Sequence, residues 1–302
     1  MQVFLTGATG YVGSAVLEAL LRGSHRVTAI VRDLEQAERL ESRGVKAVIG
    51  ELGTPSSYAT AIDGADAVIH TALEGSARGV EKDREAIGTL LGALDRHRNG
   101  SPRTFIYTSG IWVLGPTTGP VDESAPLDPA AYPAWRPAHE QMVLDAGTNG
   151  IRTVVVRPGI VYGGSRGIVS DLLKDALNGL VRVVGPGKNC WPMVYARDLG
   201  ELYVRLLQAP DARGIFHAND EGDERVNDIV DAIADHLAQR PDVRHMPMPE
   251  ARRKLGAYAD ALAIDLRVRS PRAKALGWMP TLSSVSANIP RLLEEYRGSR
   301  RR

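Results

Sequence analysis

A tyrosine and a cation lie four residues apart in YPAWRPAHE, the stretch from Tyr132 to Glu140. A tyrosine phenol can exchange a proton with a substrate oxygen, and a nearby charge such as that of Arg136 favours the tyrosinate. This spacing puts two side chains on one face only if a single helix carries both. Pro137 argues against such a helix, because proline is tolerated at the first helical position but disrupts the interior. The stretch therefore predicts either a proton-donating pair or a structural loop before a helix that begins at Pro137.

Three glycines, Gly7, Gly10 and Gly13, lie between an apolar run and an amphipathic stretch in VFLTGATGYVGSAVLEALL. In a strand–turn–helix unit the first glycine permits the tight turn, and the second lets the backbone approach a pyrophosphate. The third lets the helix pack against the strand. The N-terminus of the helix then faces the phosphates. The pattern predicts a dinucleotide site at the first strand–helix junction.

The elements that would position these residues alternate along the first half of the chain. Amphipathic stretches at Val12–Leu21 and Glu85–Arg96 predict helices between short apolar strands. Strands that alternate with helices imply parallel pairing, and runs apolar on both faces imply a sheet covered on both sides. The predicted fold class is therefore α/β, a Rossmann-like doubly wound parallel sheet. The predicted strands are Val3–Leu5, Arg26–Val31, Lys46–Ile49, Ala67–His70, Thr104–Tyr107, Thr153–Val156 and Ile215–His217.

The regular alternation of strands and helices ends after about Gly163, where the connections lengthen and Pro- and Gly-rich segments such as VGPGKNCWP appear. We predict an NAD(P)-binding Rossmann domain over residues 1–165, to which the strand near 214–218 returns. Residues 166–302 are predicted to form mostly a smaller, substrate-binding C-terminal lobe. Six large side chains lie in segments that we expect at the open end of the sheet, where they either line a substrate pocket or form the core of the lobe. They are Trp112, Leu114, Trp135, Trp191, Met193 and Tyr195.

The bulk composition argues against several classes of function. The chain has 37 basic and 36 acidic residues, so no global field would attract nucleic acid or a membrane surface. Cys190 is the single cysteine, which excludes an intramolecular disulfide and fits a reducing cytoplasm. The sequence contains neither a long apolar run nor an N-terminal signal pattern. We expect a cytoplasmic protein with a small-molecule substrate, for which a homodimer is an open alternative.

Five segments resemble the extended short-chain dehydrogenase/reductases, the NAD-dependent epimerase/dehydratase-like family. They are TGATGYVG at Thr6–Gly13, FIYTSG at Phe105–Gly110, RPGIVYG at Arg157–Gly163, VYARDLGELY at Val194–Tyr203 and ALGWMP at Ala275–Pro280. The resemblance spans nearly the whole chain and implies an NAD(P)-dependent oxidoreductase or epimerase. It extends the predicted cofactor-binding set beyond the three glycines. The added residues are Thr9, Tyr11, Val12, Arg32, Leu52, Thr71, Arg157 and Pro158.

The end of the second strand bears on the choice between NAD and NADP. In such folds an acid there binds the ribose hydroxyls, whereas an arginine accommodates a 2′-phosphate. By the resemblance, Val31 stands where the acid usually lies, and Arg32 follows it. We therefore predict NADP. NAD stays the alternative, because Asp33 could bind the ribose and Arg32 could be a solvated charge.

In this family a tyrosine, a lysine four residues later and a serine or threonine hydroxyl share the proton chemistry. The resemblance places Tyr132 at the tyrosine position and Arg136 at the lysine position. The hydroxyl position falls on Gly110, so Ser109 is the nearest candidate, together with Thr108. The predicted catalytic set is Tyr132, Ser109 and Arg136, which departs from the family pattern at two of three positions.

Two histidines are interpreted without a catalytic or metal role. His139 and Glu140 resemble a metal pair, but neighbouring helical residues point apart and no third ligand is evident. No metal site is therefore predicted. His70 is interpreted as a histidine whose hydrogen bonds are satisfied at the end of a strand.

The substrate class follows from Ile160, which stands after RPG where family members that act on nucleotide sugars commonly carry asparagine. This favours an NADP-dependent oxidoreductase acting on a small, partly apolar carbonyl compound or the matching alcohol. Two alternatives stay open. One is an epimerase or dehydratase with tightly held NAD(P), and the other is a catalytically weak NADP(H)-binding regulatory protein.

Overall fold

A computed structural model describes residues 1–96, 103–147 and 151–299, so the predicted lobe's last residues, 300–302, lie outside the described part. The strands are β1 (Gln2–Thr6), β2 (Arg26–Val31), β3 (Lys46–Ile49), β4 (Ala67–His70), β5 (Thr104–Thr108), β6 (Arg152–Pro158), β7 (Ile160–Tyr162), β8 (Leu180–Val184), β9 (Cys190–Trp191), β10 (Met193–Tyr195), β11 (Gly214–Ala218), β12 (Glu224–Arg225) and β13 (Asp242–Met246). The helices are α1 (Tyr11–Arg22), α2 (Leu34–Glu41), α3 (Gly79–Arg96), α4 (Arg136–Ala146), α5 (Ile168–Leu177), α6 (Ala196–Gln208), α7 (Val226–Asp235), α8 (Met248–Leu255), α9 (Tyr258–Leu262), α10 (Pro271–Ala275) and α11 (Ile289–Ser299).

Seven strands form one sheet in the order β11-β6-β5-β4-β1-β2-β3. Neighbouring strands from β3 to β6 pair in parallel. The chain first runs outward through β2 and β3 and then continues on the other side of β1 with β4, β5 and β6. This is the predicted α/β fold, a Rossmann-like doubly wound parallel sheet. The order reverses between β1 and β4, where the carboxyl ends of such a sheet bind ligands.

The sheet forms where it was predicted because the apolar runs are buried on both faces. All four residues of β4 and all seven of β6 are buried, as a sheet covered on both sides requires. Helix α1 buries Val16, Leu17 and Leu20, whose spacing makes one apolar stripe. Each strand of the seven-stranded sheet lies within two residues of its predicted bounds.

Helix boundaries differ more from the expectation. Helix α3 begins at Gly79 rather than Glu85, so it is longer than predicted. Helix α4 begins at Arg136, one residue before the expected start, and Pro137 is its second residue. Proline fits there because the first N–H groups of a helix have no intrahelical acceptor. Tyr132 lies in the turns before α4, as the loop alternative predicts.

The chain divides into two compact units. The first unit comprises Met1–Ser109, Trp135–Val156 and Leu199–Phe216, and the second comprises Gly110–Ala134, Arg157–Asp198 and His217–Arg302. The predicted domain boundary at residue 165 stays a prediction.

The second unit has a core of its own. It contains Trp191, Met193 and Tyr195, which are 4%, 1% and 6% exposed, so these three residues are core rather than pocket side chains. Leu114 is buried in a second apolar cluster of the same unit. Among the described residues, no helix combines the length and the apolar character needed to cross a membrane.

Candidate functional site

The glycine-rich loop between β1 and α1 turns on Gly7, whose φ of +74° lies in the left-handed region. The amide of Gly10 donates to the carbonyl of Gly7 at 2.8 Å and closes the turn. A Cβ on Gly13 would lie 1.9 Å from the Gly7 carbonyl oxygen. A Cβ on Gly7 would lie 2.8 Å from Thr71 Oγ1, at the end of β4. Only glycine fits at these two positions, so the loop packs directly against its helix and against β4.

A cavity of about 770 Å³ opens beside this loop. It is also lined by the end of β2, the segment after β3 and the segment after β4. Eight of the predicted cofactor-binding residues line the cavity: Gly7, Thr9, Gly10, Tyr11, Val12, Arg32, Leu52 and Thr71. Arg157 and Pro158 lie at the end of β6 and are not part of this lining.

The end of β2 presents one free charge to the cavity. Arg32 is exposed, and its guanidinium has no hydrogen-bond or ion-pair partner within the described ranges. Asp33 instead caps helix α2: its Oδ1 accepts from the backbone N of Gln36 at 2.8 Å, and its Oδ2 accepts from Gln36 Nε2 at 2.6 Å. Thr9 Oγ1 donates to Gln36 Oε1 at 3.3 Å. The acid of this strand end is thus engaged locally, while the arginine is not.

A second cation of the lining is already paired. Lys82 Nζ lies 2.7 Å from Glu74 Oε2, and both side chains line the cavity. Leu52, which also lines the cavity, is held by Tyr58, whose hydroxyl donates to the Leu52 carbonyl at 3.2 Å. Burial raises the pKa of Tyr58 to about 12, so this phenol stays a donor. Sequence reasoning did not find Lys82 or Glu74, because their pairing depends on the turn after β4.

Tyr132 belongs to the second unit and is 47% exposed. Its ring centre lies 5.0 Å from that of Tyr258 and 6.2 Å from that of Trp112. The Trp112 and Tyr258 rings are 5.9 Å apart, so the three rings support one another. Tyr132 is therefore held on one side while nearly half of its surface faces solvent. Its role as proton donor stays a prediction.

Arg136 is the first residue of α4 and belongs to the first unit. Its guanidinium lies 4.5 Å from the centre of the Trp135 ring and donates to the carbonyl of Thr108 at 3.3 Å. The cation is thus directed to the end of β5. Because α4 begins after Tyr132, helical spacing does not place Tyr132 and Arg136 on one face.

The candidate hydroxyls at the end of β5 are both engaged. Ser109 Oγ donates to Glu140 Oε1 at 2.5 Å, and both residues are buried. Thr108 Oγ1 shares a hydrogen bond of 2.6 Å with the hydroxyl of Tyr203. The proton of Ser109 points to Glu140. The orienting role of Ser109 stays a prediction.

The two histidines converge on a carboxylate that sequence reasoning missed. His70 Nε2 lies 3.1 Å from Asp83 Oδ1, and His139 Nδ1 lies 2.7 Å from Asp83 Oδ2. His70 is therefore satisfied at its strand end, as interpreted. The missed signal is the position of Asp83, which shares the apolar stripe of α3 with Ile87 and Leu90. Within residues 1–96, 103–147 and 151–299, no group of three or more His, Cys, Asp or Glu side chains could hold a metal ion.

A doubly wound sheet whose glycine loop borders a cavity at the carboxyl ends of its strands defines a dinucleotide-binding protein of the Rossmann class. The sequence comparison narrows this class. The chain belongs to the NAD dependent epimerase/dehydratase family, whose model matches residues 3–218. It is an NAD(P)-dependent oxidoreductase or epimerase of the extended short-chain dehydrogenase/reductase type, as the resemblance implied.

Individual relatives cover between 83% and 97% of this chain. The uncharacterized protein C2A9.02 of Schizosaccharomyces pombe is 29% identical over 293 residues, which are 96% of this chain and 98% of that protein. The 4-hydroxy-2-methyl-3-oxo-4-farnesyl-3,4-dihydroquinoline-1-oxide ketoreductase of Stigmatella aurantiaca is 32% identical over 260 residues, 83% of this chain and 78% of that protein. The solved structure of human epimerase family protein SDR39U1 with NADPH matches with a TM-score of 0.79 at 20% identity, covering 97% of this chain and 99% of the other.

Proposed function

We propose that this enzyme uses NADP(H) to interconvert a small, partly apolar carbonyl compound and the matching alcohol. The end of β2 carries the choice of cofactor. Arg32 is free to form charge-assisted hydrogen bonds with a 2′-phosphate. Both carboxylate oxygens of Asp33 are bound to Gln36, which argues against a ribose-binding acid at this strand end.

The residues around the loop fit the phosphates of a dinucleotide. Helix α1 has Gly10 as its N-cap, and this residue forms no side-chain capping hydrogen bond with the first N–H groups of the helix. Its first turn contains no acidic residue that would repel an anion. Gly10 also leaves the approach to these N–H groups open, because it has no Cβ. Together these features support a pyrophosphate at the start of α1.

The proposed chemistry divides a hydride and a proton between the cofactor and the chain. When bound, the nicotinamide ring supplies or accepts the hydride. Tyr132 is proposed to donate its phenolic proton to the substrate oxygen during reduction and to accept it during oxidation. Arg136 is proposed to bind the nicotinamide ribose, as the family's lysine does. Ser109 is proposed to orient the substrate oxygen by donating its hydroxyl proton, for which the hydroxyl turns from Glu140 to the substrate.

The proposed substrate class rests on two observations. Ile160 offers no amide to a sugar diphosphate and is buried in β7. The relative from Stigmatella aurantiaca is named as a ketoreductase of a farnesyl-bearing oxo compound, which supports a ketone on a largely apolar molecule. A less charged carbonyl compound is therefore favoured over a nucleotide sugar.

A titration of the two cofactors tests the proposal. NADPH should bind the enzyme more tightly than NADH, and Arg32→Ala should weaken NADPH binding by about 10-fold with little effect on NADH. This is the lower end of the range for charged hydrogen bonds, because the exposed guanidinium is screened by solvent. Arg39→Ala is the matched control, since it removes an exposed arginine from α2 that does not line the cavity. Equal affinities for NADPH and NADH in the unmodified enzyme would refute the assignment.

Purified enzyme separates the remaining alternatives. An oxidoreductase should consume added NADPH with an apolar ketone. Nicotinamide cofactor that appears only after denaturation would instead indicate an epimerase or dehydratase. Cofactor binding without turnover of any carbonyl compound would favour the regulatory alternative.

A further inference from the structure

Asp83 is the centre of a buried polar network in the first unit. It lies on α3 and is 2% exposed. His70 Nε2 approaches its Oδ1 at 3.1 Å, while His139 Nδ1 and the Tyr107 hydroxyl approach its Oδ2 at 2.7 and 2.9 Å. The carboxylate therefore joins α3 to β4, β5 and α4 at one point.

The direction of each hydrogen bond can be assigned. Burial alone would raise the pKa of Asp83, but hydrogen bonds from His139 and His70 outweigh burial and hold the pKa below its usual range. An ionised carboxylate only accepts, so both imidazoles donate to it. Thr6 Oγ1 accepts from the amides of Thr71 and Ala72 at 3.2 and 3.3 Å. Its own proton is therefore directed to His70 Nδ1, 2.6 Å away.

The network connects the cofactor cavity with the first turn of α4. At one end, Thr71 and Ala72 line the cavity. At the other end, His139 lies one turn after Arg136, and the Trp135 ring contacts both of them. The ring centres of Trp135 and His139 are 4.9 Å apart, and the guanidinium of Arg136 lies 4.5 Å from the Trp135 ring centre.

Helix α4 needs such an external anchor because its own start is weak. Its N-cap residue, Trp135, makes no side-chain capping hydrogen bond, and the first turn contains no acidic residue. Arg136 places a positive charge at the positive end of the helix dipole, which is locally unfavourable. The buried carboxylate of Asp83, which is bound to His139, supplies negative charge beside this helix start. Burial raises the pKa of Tyr107, and Asp83, Arg136 and Glu140 all act on that phenol, as groups of one neighbourhood do.

We propose that Asp83 is the positioning residue of Arg136. By holding His139 and, through it, Trp135, it fixes the first turn of α4 so that the guanidinium stays at the end of β5. This inference rests on the proposed function, in which Arg136 binds the nicotinamide ribose. The strand-end hydroxyl of Thr6 extends the same network to the cavity wall, so cofactor binding and the placement of Arg136 share one set of hydrogen bonds.

Asp83→Asn tests the inference by calorimetric titration of the full-length enzyme with NADPH and with 2′,5′-ADP, which lacks the nicotinamide half. Asp83→Asn should weaken the binding of NADPH by about 10-fold, as expected when one charged contact is misplaced, and should leave the affinity for 2′,5′-ADP unchanged. Asp198→Asn is the control: it is another buried acid, 1% exposed, which accepts from Thr281 and Leu282 in the second unit. It should lower stability without changing either affinity. Equal weakening of both ligands by Asp83→Asn would overturn the inference, because the damage would then be general.

A double-mutant cycle shows whether Asp83 acts through Arg136. Arg136→Ala should weaken NADPH binding, and the same change should add little in the Asp83→Asn background. Additive losses overturn the positioning role while leaving the proposed role of Arg136 intact. An Arg136→Ala variant with unchanged NADPH affinity contradicts the proposed role of Arg136 and the positioning role together.

If Asp83→Asn does not fold, His139 provides a second route. His139→Ala removes the donor to Asp83, whereas His139→Asn keeps an N–H group near the position of Nδ1. The asparagine variant should retain most of the NADPH affinity that the alanine variant loses. Equal affinity losses in the two variants would show that the hydrogen bond to Asp83 does not position the helix.

Discussion

Gly13→Ala is the sharpest test of the packing of the glycine loop. The added methyl carbon would lie 1.9 Å from the Gly7 carbonyl oxygen, 2.5 Å from its carbonyl carbon and 2.6 Å from Thr71 Oγ1. Two of these three atoms are backbone, and Gly7 is held at a φ of +74°, so no side-chain rotation relieves the clash. The loop or the helix must shift instead.

The magnitude follows from that geometry. Inserting a methyl group into a well-packed site costs about 1–3 kcal/mol, and this contact lies at the upper end because backbone must move. The free energy of unfolding, measured with urea, should fall by roughly that amount. The displaced loop should also bind NADPH more weakly, because Gly7 and Gly10 line the cavity proposed to hold the cofactor.

Gly88→Ala is the matched control for this experiment. Gly88 lies inside α3, and a Cβ there would meet nothing within 4 Å. Alanine is the better helix former, so this variant should be more stable by about 0.5–1 kcal/mol and should bind cofactor normally. A Gly13→Ala variant that is as stable as the unmodified protein and binds NADPH equally well would refute the packing described for the loop.

Three further substitutions make separate predictions. Gly10→Val should keep the fold, since a Cβ there meets only the Gly7 carbonyl oxygen at 3.1 Å, yet it should abolish the binding of NADPH in a titration because the branched side chain covers the helix start. Tyr132→Phe should lower kcat by about 10²–10⁴ with cofactor affinity nearly unchanged, and full activity on an established substrate would remove the phenol from the mechanism. Asp220→Asn should stabilise the protein above pH 7. Burial raises the pKa of Asp220 to about 7, from an ordinary value of 3.8. The free energy of unfolding should therefore fall as the pH rises from 3.8 toward 7, because the carboxyl group ionises first in the unfolded chain. Urea unfolding at several pH values should show this slope in the unmodified protein and a smaller one in the variant.

The strands and the glycine loop could be predicted because their signals are local. A run such as AVIH is buried on both faces in β4, and the same apolar character marks it in the sequence. The glycine loop could be predicted for a similar reason, because Gly10 and Gly13 approach the Gly7 carbonyl within one strand–turn–helix unit, although the contact of Gly7 with Thr71 lies outside that unit. Family membership followed from the same segments.

The arrangement around Asp83 could not be predicted in this way. Its partners His70, Tyr107 and His139 are 13, 24 and 56 residues away along the chain. No local pattern shows that His70, interpreted as a histidine at a strand end, and His139, considered and rejected as a metal ligand, hydrogen-bond to the same carboxylate. The sequence signal for this network was the charged residue Asp83 on the apolar stripe of α3. The hydrogen bonds between Asp33 and Gln36 were easier to predict from the sequence, because an N-cap residue and the third residue after it form a recognisable helix start.

The first unit is assembled from separate stretches of the chain, and this affects how the protein folds during synthesis. Three separate stretches of chain build it, and the last of them, Leu199–Phe216, supplies most of α6 and part of β11. During synthesis from the N-terminus, the ribosome must therefore release the chain as far as Phe216 before all three stretches of that unit can pack together. Until then the exposed edge of β6 lacks its neighbour in the sheet and is open to wrong pairing. A truncated gene ending after residue 165 should yield a chain that aggregates rather than a small cofactor-binding protein, whereas the chain of 302 residues should fold.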